Sequence, residues 1–543
     1  MKTLFLSFLL VGVVSAGVNY KNGNWYVSYT DMEVTGEGQK LEISRTYNSK
    51  STSKGWFGFG WGNYFETKLV PSADGCVVVH EFGAGGKTRF CPKTTVDAGM
   101  AADKIIEAMR KTAPMTAKAA AEKKKYLMSN AEIRHTYAKT YNVKTKLAKG
   151  TKLFSNLRGR QSISVLKDGF KRESSNGKVE VFNDKGQLVS VTDRNKFKID
   201  YSYKAGKLAK IKDSFGKSVG FEWNTAGFVS KLTGPGKREA IFKYDGNDLV
   251  YVKDFEDLEF AYTYDNKHNL TRITYNPNRK KSEKEIFMAV KYDPKTFFAT
   301  EVRDRNGNVT EYKYGSNPKK PNDHYWTEVT RPGFDGKKVT NKYEYEINTR
   351  PDGSRYTYRI KTKINNLVTE TIYNECCGLP LKISRGALVT NFKYDGSLLI
   401  EKKSNKGEDV KLSYHPTLKK VTMVNRNGKV SKFSYDKKGN LKTALAPDGT
   451  KVLLTYKGGK LSKMIDQRPG KEKRKLTLEY GALGKAEKIS LSGVGSISLK
   501  YNGKGQIKEI VPNKKNPKIA FEVSETFQNL LGIIKPAGVN LSL

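Results

Sequence analysis

An aromatic residue closes a short apolar run about every twenty residues, a period that marks a stacked repeat. The positions are Phe182, Tyr203, Trp223, Tyr244, Tyr264, Tyr292 and Tyr314, then, after a break, Tyr394, Tyr414, Tyr435, Tyr456, Tyr480 and Tyr501. The steps are 21, 20, 21, 20, 28 and 22, then 20, 21, 21, 24 and 21. Behind most of these aromatics comes a polar turn and a second apolar run, as in YDGNDLV, YDNKHNL, YDKKGNL and YNGKGQI. Before the turn, alternate residues share a face: Ile199, Tyr201 and Tyr203, or Phe260, Tyr262 and Tyr264. Period two is a strand signal, and Asp, Asn and Gly are turn formers. Each unit therefore reads as a β-hairpin, and the chain as a stack of them, in which neighbours complete one another's core.

Ahead of the repeats the pattern differs. Residues 1–16 read as a secretory signal: Lys2, an apolar stretch from Leu4 to Val14, and the small-residue site Val14-Ser15-Ala16. That stretch is too short to span a bilayer, and no other run approaches membrane length. Residues 17–96 alternate as strands and contain LEISRTYNS followed by GWFGFGWG. Residues 97–150 change to Ala, Lys, Met and Glu, with Ile105 and Met109, and Ile133, Tyr137 and Tyr141, at helical spacing. Pro114 divides this basic insertion into two expected helices, with Thr116 capping the second. Its thin, Ala-rich apolar faces suit docking on the sheet better than entering a membrane. Strands return over 151–176 and repeats run over 177–315. An irregular segment follows at 316–389, with a long hairpin around Arg350-Pro351-Asp352-Gly353. Repeats resume over 390–511, and 512–543 is expected to cap the last unit.

The YD units, the leader SRTYNS…GWFGFGWG and the segment DKGQLVSVTDRNKFKIDYSY resemble the RHS/YD-repeat family. The resemblance covers most of the chain and leaves the helical insertion outside it. It implies a mainly β fold: a YD-repeat hairpin array forming a spiral or partly closed sheet. In bacterial relatives such a sheet encloses a toxin, and animal teneurins use a similar shell in adhesion. The bacterial delivery proteins also carry a self-cleaving core with an Asp-Pro run. Here the single Asp-Pro, Asp293-Pro294, lies inside a repeat. The self-cleaving core and a toxin domain after Val511 are therefore expected to be lacking.

Catalytic motifs are not evident. Gly216-Lys217-Ser218-Val219-Gly220 matches a nucleophile elbow in letters, but it falls on a repeat turn leading into a strand. No metal or cofactor pattern is present, and only five His occur, none near the cysteine pair Cys376-Cys377. Cys76 and Cys91 bracket a strand–turn–strand and are expected to be bonded. Cys376 and Cys377 could form a vicinal disulfide, pair elsewhere or stay free. Trp25, Trp56, Trp61 and Trp326 are the candidates for stacking on a ligand, although Trp56 and Trp61 also suit a cap on the first repeat.

The formal net charge of +43 is spread along the chain. It suits acidic partners, or merely a solvated strand face with Lys guarding sheet edges. Dispersed Lys lacks the clustering of a nucleic-acid footprint. The reading is thus an exported, non-enzymatic scaffold or binding surface for an anionic glycan or envelope polymer, or for a protein partner. It would act in the periplasm, at the outer surface or in the medium. The alternatives are a component or remnant of a toxin-encapsulation system, and a hydrolase of envelope polymers.

Overall fold

A computed structural model describes residues 15–534 except 35–40, 84, 95, 156–160, 175, 194–196, 281, 334–335, 376–377, 438, 459, 482–485, 502–506 and 514–515. The chain forms two compact units that divide in sequence between Leu379 and Pro380. It is mainly β, with hairpins following one another in chain order and each strand antiparallel to the next.

In the first unit this array runs from Lys152–Ser155 to Leu367–Tyr373. A bulge precedes most of the closing aromatics: the register shifts at Val181/Phe182, Ser202/Tyr203, Glu222/Trp223, Lys243/Tyr244, Thr263/Tyr264 and Lys291/Tyr292, while Tyr314 pairs without a shift. The bulge brings Tyr244 opposite Leu249, and Tyr264 opposite Leu270. The hydroxyl of each tyrosine, or the indole N–H of Trp223, then donates to the carbonyl of the corresponding residue one unit back. Tyr203 reaches Leu188 O (2.9 Å), Trp223 Nε1 reaches Leu208 O (2.8 Å), Tyr244 reaches Val229 O (2.6 Å), and Tyr264 reaches Leu249 O (2.9 Å). Leu249 is thus paired with one tyrosine in the ladder and held at its carbonyl by the next. The turns behind the aromatics are closed by carboxylates: Asp265 Oδ1 accepts from the N–H of Asn269, and Asp436 Oδ1 from that of Asn440, both at 2.9 Å.

The leader fills the apolar face of this array. Asn24–Val34, Leu41–Asn48 and Trp61–Asn63 form a sheet with Ser15–Asn19. The leader's buried side chains Val27, Met32, Ile43, Tyr47, Phe57 and Trp61 share one core with Leu208, Val229, Leu249, Phe260 and Ile273 of the repeats. The leader also meets main chain that the bulges leave available. Val229 N–H donates to Trp56 O (2.8 Å), Leu270 N–H to the Tyr47 hydroxyl (2.9 Å), and Ala299 N–H to Gly23 O (2.9 Å). The glycine run permits this approach, since a Cβ on Gly58, at φ +98°, would sit 2.8 Å from Asn247 O.

Charge is buried in this interface. Arg45 is fully enclosed, its Nε 2.9 Å from Asp31, its Nη2 donating to the Tyr262 hydroxyl, and its guanidinium 4.3 Å above the Trp61 ring. Nearby, Glu66 accepts from Trp56 N–H and Asn63 Nδ2, both at 3.0 Å, with no cation beside it. Burial pushes its carboxyl up to about 8, against the pull of those donors.

The second unit repeats the clasp. Tyr394 donates to Pro380 O, Tyr414 to Leu399 O, Tyr435 to Val421 O and Tyr480 to Leu461 O. Here a C-terminal helix, Pro517–Ile534, covers the apolar face. It lays Ile519, Val523, Leu530 and Ile534 against a core that includes Phe433, Val452, Met464 and Leu476. The cap expected after Pro512 is therefore an amphipathic helix.

The insertion holds three helices, not two: α1 (Ala98–Arg110), α2 (Ala117–Ser129) and α3 (Ala131–Thr140). Thr116 Oγ1 accepts from Ala119 N–H at the start of α2. Asn130 ends α2 and begins α3 by accepting from the N–H groups of Glu132 and Ile133. Asn130 in extended conformation is what breaks the run read as one continuous helix.

Two measurements check this account. Tyr435→Phe removes only the bond to Val421 O and should cost about 1 kcal/mol. Tyr435→Ala also deletes a half-buried ring and should cost about 2–4 kcal/mol. In a coupled array, denaturant melts should show the transition of the whole second unit shifting in both variants. The second concerns Glu66. A carboxyl raised in the folded chain favours folding below about pH 4.5, and that contribution is lost as pH rises through about 8. Glu66→Gln should therefore gain about 2–4 kcal/mol relative to the parent between pH 4.5 and 9. The lower figure allows for the residue's partial exposure.

Candidate functional site: a basic cleft beside the helical insertion

The insertion has a small core of its own, built from Ala101, Ile105, Met109, Leu127 and Ala138 with Ala73. What fixes it in the first unit is mostly polar. Asp74 pairs with Arg89 (2.6 Å) and with Arg134 (3.1 Å). Burial works against ionising Asp74, but the two guanidiniums outweigh it and hold the carboxyl below its usual range. Arg134, wholly enclosed, also donates to Leu127 O, Met128 O and Asp352 O. Asp352 belongs to the long hairpin whose strands are Lys338–Thr349 and Arg355–Ile364. At its turn Gly353 O accepts from Ala131 N–H (3.0 Å), and a Cβ on Gly353 would fall 2.6 Å from Met128 O. The hairpin turn is thereby seated on the α2–α3 junction.

His80, on the strand Val77–Glu81, meets His135 of α3, Nε2 to Nε2 at 3.1 Å. Burial pushes both imidazoles down, His80 to about 3 and His135 to about 4, with Lys87 and Lys139 adding to the effect on each. The pair is neutral at physiological pH, and one ring donates to the other.

Between α3, the strand Gly86–Phe90 and the hairpin lies a cleft of about 910 Å³. Its walls carry Lys21, Lys87, Arg89, Arg350 and Arg355, against Glu132 and Asp352. Lys87 is neutralised by Glu132 at 2.7 Å. Lys21 Nζ donates to the Thr357 hydroxyl (2.8 Å), and its pKa is lowered by burial and by Arg355. Arg350 donates to Glu375 O and to the Ser354 hydroxyl. Arg355 pairs with Asp323. Arg89 Nε and Nη1, and His135 Nδ1, are buried donors or acceptors without a partner. Phe154 and Tyr356 supply apolar wall.

Cys76 and Cys91 are joined, with Cα atoms 4.3 Å apart, and Cys91 lies on the cleft wall. Cys376 and Cys377 lie outside the described residues. The stacking candidates divide. Trp25 is 1% exposed and Trp61 is 0% exposed, so neither has a face for a ligand. The apolar face of the repeats needs both of them as filling. Trp56 is half-buried against Trp223, at 5.3 Å and near right angles. Trp326 keeps partial exposure, with Lys342 4.5 Å from its ring. Ser218 opens the strand Ser218–Trp223 opposite Lys212, in no elbow. The cleft cations were not singled out from sequence, and nothing in their spacing marks them.

Two further clusters have structural accounts. Glu81 and Glu180 both bind Arg172, beside Tyr64, in a pocket of about 370 Å³. Two carboxylates on one guanidinium form an ion network and leave no free acid. His324, Glu344 and Glu346 bring ligand atoms within 4.8 Å of one another. But Asn317 Nδ2 donates to His324 Nδ1, so Nε2 carries the proton and donates to Glu344. Arg359 pairs with both glutamates and occupies the place a cation would take.

The histidine pair yields a prediction. A base with a depressed folded pKa loses stability as pH falls below its unfolded value near 6.5. Amide protection across α3, relative to the intrinsic exchange rate at each pH, should fall between pH 6.5 and 4. His135→Asn should flatten that dependence.

Residues 365–534 match the family model described as Teneurin YD-shell, and residues 16–90 match a domain of unknown function, DUF6531. The tRNA3(Ser)-specific nuclease WapA of Bacillus spizizenii is 35% identical over 72 residues, 13% of this chain and 3% of that protein. The tRNA nuclease WapA of Bacillus subtilis is 33% identical over a stretch of the same size. The chain thus spans only a small fraction of those relatives. Among solved structures, a TcdB2-TccC3 crystal structure matches at 9% identity and a TM-score of 0.38, covering 90% of this chain and 29% of that one. A Photorhabdus luminescens Tc holotoxin pore matches at 10% and 0.37, covering 91% and 30%. Likenesses of that size carry no argument about what this chain binds. With the leader model near one end, the YD-shell model toward the other and clasped aromatic repeats in both units, the chain belongs to the RHS/YD-repeat family.

Proposed function

We propose that this protein is an exported, non-enzymatic RHS/YD-repeat scaffold that binds an anionic glycan or other acidic polymer of a bacterial envelope. The observation that carries the reading is the surplus of +43 displayed on an otherwise self-satisfied fold. Outward strand positions hold exposed lysines such as Lys210, Lys243, Lys442 and Lys451, while the closing aromatics are spent on holding units together. The carboxylate pair Glu81 and Glu180 is committed to Arg172. Export is supported by the apolar start of the sequence and by the Cys76–Cys91 bond, which suits an oxidising compartment.

A second reading, a component of a toxin-encapsulation system, draws on the YD-shell match over 365–534 and would place a protein partner on the sheet. Pull-down on envelope fractions separates the two. Retention on anionic polymer that falls steeply between about 20 and 500 mM salt is the expected result. Salt-insensitive capture of one defined protein, with no polymer retained, would favour the second reading instead.

A further inference from the structure

We propose that the cleft beside α3 is an oxyanion site that takes one phosphate or carboxylate group of an acidic ligand. The proposal rests on the envelope-polymer reading and supplies it with a place.

Four observations converge. Lys21, Arg350 and Arg355 stand on one wall with hydroxyls, carbonyls and a single carboxylate, Asp323, as partners. Lys21 is largely buried and its nearest charged neighbour in effect is another cation, Arg355. Like charges are brought together at a cost that an anion between them would reverse. On the opposite wall Arg89 leaves Nε and Nη1 unbonded, and His135, 3% exposed, leaves Nδ1 unbonded. Buried polar atoms without partners are rare in folded proteins. Guanidinium matches the oxygens of phosphate and carboxylate in geometry as well as charge.

The walls are also held in place before any ligand arrives. The Cys76–Cys91 bond anchors one side, and the Gly353–Ala131 and Arg134–Asp352 contacts anchor the other. Fixed donors lose little freedom on binding. A volume of about 910 Å³ lies in the range of small-molecule sites and fits one or two sugar-sized residues. Tyr356 and Phe154 offer apolar surface beside the charges.

The test uses the full chain with inorganic phosphate as the first probe. Calorimetry should show binding that weakens at least 10-fold in Lys21→Met and in Arg355→Leu. The double variant Lys411→Met/Lys432→Met, on exposed strand positions outside the cleft, should bind phosphate as the parent does. Unmutated protein gives an independent readout. Phosphate should protect Lys21 from acetylation by an N-hydroxysuccinimide ester while Lys411 reacts as before, read by peptide mass spectrometry. Thr357→Val, which removes one hydroxyl, gives a milder variant should the others misfold, and should weaken binding about 3-fold.

Glycerol-phosphate oligomers and oligogalacturonate then compete for the site, and the stronger competitor names the source of the oxyanion. No protection of Lys21, or equal loss in the Lys411/Lys432 variant, would overturn the site. If the cleft variants lose phosphate yet envelope polymer is held as before, the site stands as an oxyanion site and its link to the polymer is overturned. If phosphate binds in the cleft but no polymer is retained at low salt, the envelope reading falls and the site stands.

Discussion

The bond from an aromatic hydroxyl to a carbonyl one unit back is what the two arrays depend on. Tyr314 reaches Ala299 O without a bulge, but in most units a bulge sets the ring opposite a residue at the start of the following strand. That residue, Val229 or Leu249 or Val421, is then held from both sides. Each bond is worth only about 1 kcal/mol net. Their repetition joins neighbouring units, so that a hairpin too small to be stable alone gains from the next one.

The same bulges explain how the first unit closes its core. A bulge frees a main-chain N–H, and an unmatched N–H in an apolar core is costly. The leader meets three of them with Trp56 O, the Tyr47 hydroxyl and Gly23 O. In the second unit the helix Pro517–Ile534 covers the equivalent apolar face with side chains. The leader also carries Arg45 and Asp31 into the interior. Removing one member of such a pair typically costs 3–5 kcal/mol, which makes the docking specific as well as strong.

Much of this was legible in the residues. The period, the strand faces, the turn carboxylates, the Cys76–Cys91 bracket and the break at Pro114 all follow from local rules. The target of each tyrosine was not, because a carbonyl has no letter and the bulge that aims the ring changes no spacing. Asn130 was hidden inside an Ala- and Lys-rich run, although Asn followed by Glu132 is a cap signal. The terminal helix was readable too: Ile519, Val523, Leu530 and Ile534 fall on one face. The cleft was out of reach. Its groups come from Lys21, from Arg89, from His135 and from Arg350 and Arg355, and only the docking of the insertion on Gly353 assembles them.

The start of the described chain also has partners remarkably late in sequence by ordinary standards of contact separation: Tyr20 O accepts from the Thr327 hydroxyl and Lys21 donates to Thr357, separations of 307 and 336 residues. A ribosome adding about 5–20 residues per second needs on the order of 15–60 s to make that span. Until the repeats around Leu208 to Ile273 have been made, Trp25, Val27 and Met32 have no array to enter. Contacts so distant form slowly, and apolar strands left waiting are prone to associate with other chains. The leader is thus made before the strands that receive it, and its last contacts, at Thr327 and Thr357, close only after most of its core partners are in place.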